Sequence, residues 1–147
     1  MTSANSSASA AARLRHLLAR REGVAAPGCH DALGALLIAE AGFEAVSLSG
    51  YSVAASSGRP DIGLVSGTQM AASAAALAEA TTLPVIADAD TGYGGVANIA
   101  ETVRAYERGG VAALHLEDQQ NPKRCGAMAN KALVTDAEMA QRLRAAL

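Results

Sequence analysis

Four short apolar runs alternate with stretches of helical spacing, and this alternation restricts the chain to a parallel sheet with helices between its strands. The runs are GVAAPG (23–28), EAVSLSG (44–50), LPVIADAD (83–90) and VAALHLED (111–118). Helical patterns occupy 11–22, 31–42, 68–81, 96–110 and 135–147. Asp31 stands as the N-cap and Gly42 as the C′ glycine of the second pattern. Thr68 is placed to cap the third, and Thr135 with Glu138 has capping-box spacing at the last. A polar loop covers 56–67 and a long loop 119–133. Residues 1–10 read as a disordered tail and 11–147 as one partial domain.

Two architectures accommodate repeated βα units. A doubly wound sheet usually carries a Gly-rich turn after its first strand, and PGCHDALG (27–34) has neither that pattern nor a Walker sequence. The alternative is a (β/α)8 TIM barrel, with its active site at the C-terminal ends of the strands. Polar pairs fall at those ends: Ser47 and Ser49, Asp88 and Asp90, His115 and Glu117. Each pair is spaced i, i+2 and so shares one face of its strand. The alternate residues Val46, Leu48, Val85, Ala87, Leu114 and Leu116 are apolar and are expected to face the helices. Half of the residues are hydrophobic but only 3% are aromatic, which suits tight helix-on-sheet packing. A complete barrel needs about 250 residues. The 147 residues are therefore expected to form its N-terminal half, about four βα units, with an unpaired strand at the edge. That describes either the first half of a longer protein or a half-barrel that pairs with something.

Composition narrows the partners. Twelve basic and fourteen acidic residues leave a net charge of −2, which offers no footprint for nucleic acid or an anionic membrane. No apolar run reaches the roughly 18–20 residues of a membrane-crossing helix. Two cysteines, Cys29 and Cys125, make no disulfide scaffold and point to a reduced, cytoplasmic setting. The Arg-, Ser- and Ala-rich N-terminus also has the composition of a mitochondrial leader.

Aspartate is a poor strand residue, so two of them at the tip of a buried strand call for a use. Asp88, Asp90 and Glu117 would bring three carboxylates to one mouth, with Asp61 on a nearby loop as a fourth. Oxygen-only donors suit a hard cation such as Mg2+, and solvated loop-end acids are the plainer alternative. Cys125 follows Lys123 and Arg124, whose charges would lower a thiol pKa. This makes it either an acid–base thiol on a mobile loop or an ordinary surface cysteine. Cys29 reads as a packed thiol, His16 and His30 as surface or packing residues, and His115 as a neighbour of Glu117.

The motifs SGYSVA (49–54), ADADTGYGG (87–95) and LEDQQNPKRCG (116–126), in that order, resemble the isocitrate lyase/phosphoenolpyruvate mutase superfamily. The likeness runs from about residue 13 to the end. It is greatest to the branch with petal death protein and oxaloacetate acetylhydrolase, close to 2-methylisocitrate lyase and dimethylmalate lyase. The resemblance implies a Mg2+-dependent enzyme, with Mn2+ as a substitute, that cleaves or forms a carbon–carbon bond in a small 2-hydroxy or 2-oxo dicarboxylate through an enolate. It implies Asp88 and Asp90 as metal residues, with Asp61 and Glu117 supporting through water. Ser49, Gly50, Tyr51 and Gly126 match substrate-binding positions, and Lys123, Arg124 and Cys125 the catalytic loop, where the cysteine is the proton donor. Family members are commonly tetramers.

Two departures stand out. The family loop reads C-G-H, whereas Ala127 follows Gly126 here. The barrel's second half, with the arginine and further acids that grip the substrate, lies beyond these residues. An oxaloacetate decarboxylase or phosphonopyruvate-type enzyme, and a truncated, catalytically inactive fragment, are the rival readings.

Overall fold

The structure, a computed structural model, describes residues 8–147. Its elements in chain order are α1 (Ala10–Ala19), β1 (Gly28–Cys29), α2 (Ala32–Glu40), β2 (Val46–Leu48), α3 (Gly50–Ser56), α4 (Gly67–Ala80), β3 (Val85–Asp88), α5 (Val96–Arg108), β4 (Ala113–His115) and α6 (Asp136–Ala146). The strands form one parallel sheet in the order β1-β2-β3-β4. A doubly wound sheet reverses its strand order at a switch point. The unbroken order, with helix between successive strands, is the progression of a barrel, as the polar strand ends had suggested.

The register places Leu48, Ala87 and Leu114 side by side on one face, and Ser47, Ile86 and Ala113 on the other. Val46, Leu48, Val85 and Ala87 are buried, with Met70, Ala74 and Leu77 of α4 and Tyr106 of α5 in the same core. On the opposite face Asp88 pairs in register with His115. The strand-end polar residues therefore share one side of the sheet, away from the helical layer.

Several boundaries differ from the sequence reading. The first strand is laddered only at Gly28 and Cys29. Pro27 accepts from Ser47 N at 2.9 Å but has no N–H to donate, which shortens the ladder. The second strand ends at Leu48, because Ser49 caps a helix absent from the sequence reading, its Oγ accepting from Ser52 N at 3.3 Å. Ser66, not Thr68, caps α4 and forms a full capping box with Gln69. Asp31 and Thr135 do cap α2 and α6. Of the expected tail, residues 1–7 lie outside the described residues. Ser9 is instead the N-cap of α1, which begins at Ala10.

Candidate active site

Asp88 ends β3 and is held by three elements. Its Oδ1 accepts from Asp90 N at 2.8 Å, its Oδ2 from Gly50 N at 3.1 Å, and its carbonyl from Tyr106 Oη at 2.8 Å. Gly50 is the first residue of α3, so its N–H has no partner within the helix and is free to serve the carboxylate. A Cβ on Gly50 would lie 2.5 Å from Asp88 Oδ2, so this approach requires glycine. Two donors leave lone pairs on both oxygens of Asp88.

The turn after β3 is unusual. Asp90 (φ 46°), Gly92 (92°), Tyr93 (60°) and Gly94 (148°) all have positive φ. For a tyrosine this conformation costs of order 1–3 kcal/mol and persists only where packing imposes it. The ring of Tyr93 is pressed against Gly67, where a Cβ would come within 2.8 Å of it. The turn aims Asp90 inward, and Glu117 N donates to Asp90 O at 2.7 Å, which joins the tips of β3 and β4.

Lys123 is buried with two carboxylates, Asp61 and Asp90; its side chain is 4% exposed, theirs 10% and 6%. Nζ donates to Asp61 Oδ1 and lies 2.5 Å from Asp90 Oδ1, which is otherwise buried without a hydrogen-bond partner. Burial opposes the charge on Lys123, but the two carboxylates outweigh it and hold its pKa above the usual lysine value. Burial raises the Asp90 pKa, and the Asp88 charge adds to this, against the pull of Lys123. Burial, then Asp88, likewise raises Glu117, against Lys123 and Gln119.

Two closer groupings stand out among the four carboxylates. Asp61 and Asp90 enclose Lys123, while Asp88 and Glu117 lie close enough to raise the Glu117 pKa. Among the described residues no three His, Cys, Asp or Glu side chains are grouped closely enough to ligate one ion directly. Asp88, Asp90 and Glu117 nonetheless feel one another's charge at the strand-end mouth. The donor set still fits Mg2+, which keeps several waters and needs only one or two carboxylates. The Asp88 oxygens, each accepting a single backbone N–H, keep lone pairs free for such a cation.

The raised Glu117 pKa has a consequence for stability. Its folded value lies above its unfolded one, so ionisation disfavours the fold as pH rises through that window, and the deficit persists above it. Glu117→Gln is expected to raise the urea midpoint of the metal-free protein at pH 7. At about pH 3.5, below the ordinary carboxylate range, that gain should be absent.

Residues 119–133 were expected to form a plain loop. The structure clasps them at the base: Gln119 bridges Leu133, Gln120 N donates to Ala132 O at 2.8 Å, and Val134 N to Asp118 O at 2.8 Å. Cys125 is half-buried in the wall of a cavity of about 830 Å³, beside Tyr51, Asp61, Ile62, Ala127 and Met128. Lys123 is committed to its two carboxylates and Arg124 to Ala129 O at 3.4 Å. Gly126 O accepts from Lys131 Nζ at 2.7 Å. Tyr51 is exposed and lines the cavity, His115 is exposed, and Cys29 is buried in the core, where burial pushes its thiol pKa up.

Three residues that the sequence reading passed over hold this arrangement. Tyr106 anchors Asp88. Arg142 of α6 donates to Glu117 O at 3.2 Å and Gln119 O at 3.0 Å, and Gln119 bonds both Glu117 and Arg124. The one sequence signal was a tyrosine on the apolar stripe of α5, since a buried phenol needs a hydrogen-bond partner.

Comparisons with known proteins identify the family of this chain. Residues 14–147 match the family model described as phosphoenolpyruvate phosphomutase. The 2,3-dimethylmalate lyase of Eubacterium barkeri is 49% identical over 138 residues, which cover 93% of this chain and 48% of that protein. The structure of oxaloacetate acetylhydrolase with the inhibitor 3,3-difluorooxalacetate superposes with a TM-score of 0.90 at 42% identity, covering 94% of this chain and 48% of that one. A phosphonopyruvate hydrolase in complex with oxalate and Mg2+ superposes with a TM-score of 0.86 at 31% identity, covering 95% and 47%. The chain spans about half the length of the curated relatives it matches.

Proposed function

Because the chain belongs to the phosphoenolpyruvate phosphomutase family, within the isocitrate lyase superfamily, we propose that it carries half of the active site of a Mg2+-dependent carbon–carbon lyase or hydrolase. The substrate class is a small 2-hydroxy or 2-oxo dicarboxylate. The observation that carries this reading is the threefold hold on Asp88 at a strand tip, joined through Asp90 and Lys123 to a loop that presents Cys125 to a cavity.

Asp88 is the residue we assign to hold Mg2+, with Asp90, Glu117 and Asp61 in support through water. When bound, Mg2+ supplies Lewis-acid stabilisation of negative charge on a substrate oxygen. The chain's own groups do the rest. Ser49, Gly50 and Tyr51 border the site at the start of α3 and receive the substrate's polar end. In a 2-hydroxy dicarboxylate the hydroxyl gives its proton to water, the C2–C3 bond breaks and C2 becomes the carbonyl of a 2-oxo acid. The electron pair stays at C3 beside its carboxylate as an enolate. The Cys125 thiol then gives its proton to C3. Lys123 keeps the buried acids around the site compensated, and Arg124 and Gly126 carry the thiol.

A panel of substituted malates, 2-methylisocitrate, oxaloacetate and phosphonopyruvate, assayed with Mg2+ on a protein that joins these residues to the other half of the barrel, tests the proposal. Release of pyruvate, glyoxylate, or oxalate with acetate is expected, and Cys125→Ser should lower kcat by about 100-fold with little change in KM. No product from any carbon–carbon substrate would end the lyase reading. Turnover of phosphonopyruvate alone would replace it with the phosphonopyruvate-type reaction.

A further inference from the structure

We propose that Gln119 is a positioning residue that locks the Glu117 carboxylate to the 122–126 loop, so that the two elements order as one unit. The Gln119 side chain is buried and spends both amide donors and its oxygen on them. Its Nε2 donates to Glu117 Oε2 at 2.8 Å and to Arg124 O at 2.9 Å, and its Oε1 accepts from Arg124 N at 3.0 Å. Turning the amide over would set oxygen against two acceptors and NH2 against a donor, so the network admits one orientation.

The two bonds to Arg124 imitate a pair of ladder bonds between strands, with a side-chain amide in place of a peptide. They clamp the main chain between Lys123, whose ammonium is fixed by Asp61 and Asp90, and Cys125. The backbone of Gln119 is fixed from the other side by Arg142, which also holds Glu117 O. A displacement of the Glu117 carboxylate therefore removes a partner from the amide that holds the loop, and release of the loop frees the amide that orients Glu117. The catalytic meaning of this lock rests on the proposed function; the lock itself does not.

Trypsin cleavage of the folded chain after Arg124, scored against cleavage after Arg20 and Arg21, reads the lock without any assay of turnover. Gln119→Met fills similar volume without polar atoms. It should raise relative cleavage after Arg124 by about tenfold, the effect of losing one to two hydrogen bonds. Glu117→Ala should raise it several-fold when Gln119 is present and add nothing in the Gln119→Met background. Additive effects of the two substitutions, or an unchanged ratio in Gln119→Met, would overturn the proposal. If Gln119→Met unfolds, all sites open together, and Gln119→Glu takes its place. That variant keeps the acceptor for Arg124 N and loses both donations, so an intermediate ratio supports the lock and a wild-type ratio refutes it. Cleavage of the wild type that ignores added Mg2+ counts against the proposed metal site and leaves the cycle to decide the lock.

Discussion

Lys123→Met is expected to lower the unfolding free energy by about 3–5 kcal/mol at neutral pH, the usual cost of removing one partner from a buried charge cluster. Methionine fills much of the lysine's space, so lost packing contributes little. What remains is two nearly buried carboxylates, Asp61 and Asp90, facing each other without a counter-charge. Protonating them relieves the repulsion, so the deficit should shrink as pH falls through the carboxylate range. Urea unfolding of both proteins at pH 7 and at about pH 4 reads this directly. A deficit of the same size at both pH values would mean that packing, not charge, is what Lys123 contributes. On the alkaline side the sign reverses. The raised Lys123 pKa means that its stabilisation is complete below the ordinary lysine value and is lost as pH climbs through the folded one.

Gly50→Ala should be the most damaging small substitution for activity. In an ordinary helix this change stabilises, by up to roughly 1 kcal/mol. Here the new methyl group would stand 2.5 Å from Asp88 Oδ2, and the carboxylate must leave the Gly50 N–H to make room. Displacing a positioned group by about 1 Å commonly costs about 100-fold in rate, and forcing a methyl into a packed site costs about 1–3 kcal/mol. We expect kcat/KM to fall about 100-fold and the urea midpoint to fall as well. A more stable, fully active variant would show that Asp88 does not depend on this contact.

Particular residues explain which parts of the site were readable in the chain. Asp88 and Asp90 announced themselves because two aspartates at the end of LPVIADAD oppose strand preference, and their i, i+2 spacing fixed a common side. The order of strands followed from βα alternation together with the polar pairs at the strand ends. The partition of the acids did not. Asp61 and Lys123 stand 62 positions apart, and no periodicity relates two loops that meet only through the folded sheet. Asp90 lies beside Asp88 as its spacing implied, but its left-handed backbone also brings it to Lys123, which the sequence did not reveal. Helix α3 escaped notice because GYSVAAS has little helical propensity. Its cap, Ser49, had been read as a substrate residue, and that one helix supplies the Gly50 N–H. Ser66 and Gln69 carried a readable capping box that Thr68 obscured. Gln119 stood inside the motif LEDQQNPKRCG, but a glutamine in a polar loop reveals its partners only when the loop closes.

The central claim is that these strand tips form a site where a divalent cation is required to hold an enolate-like dianion. Calorimetric titration of oxalate into the protein, with Mg2+ and again with excess chelator, tests it most directly, with Asp88→Ala alongside. The account predicts oxalate binding with Mg2+, none with chelator, and none in Asp88→Ala under either condition. Oxalate binding of equal strength with and without Mg2+, or unchanged in Asp88→Ala, would contradict it.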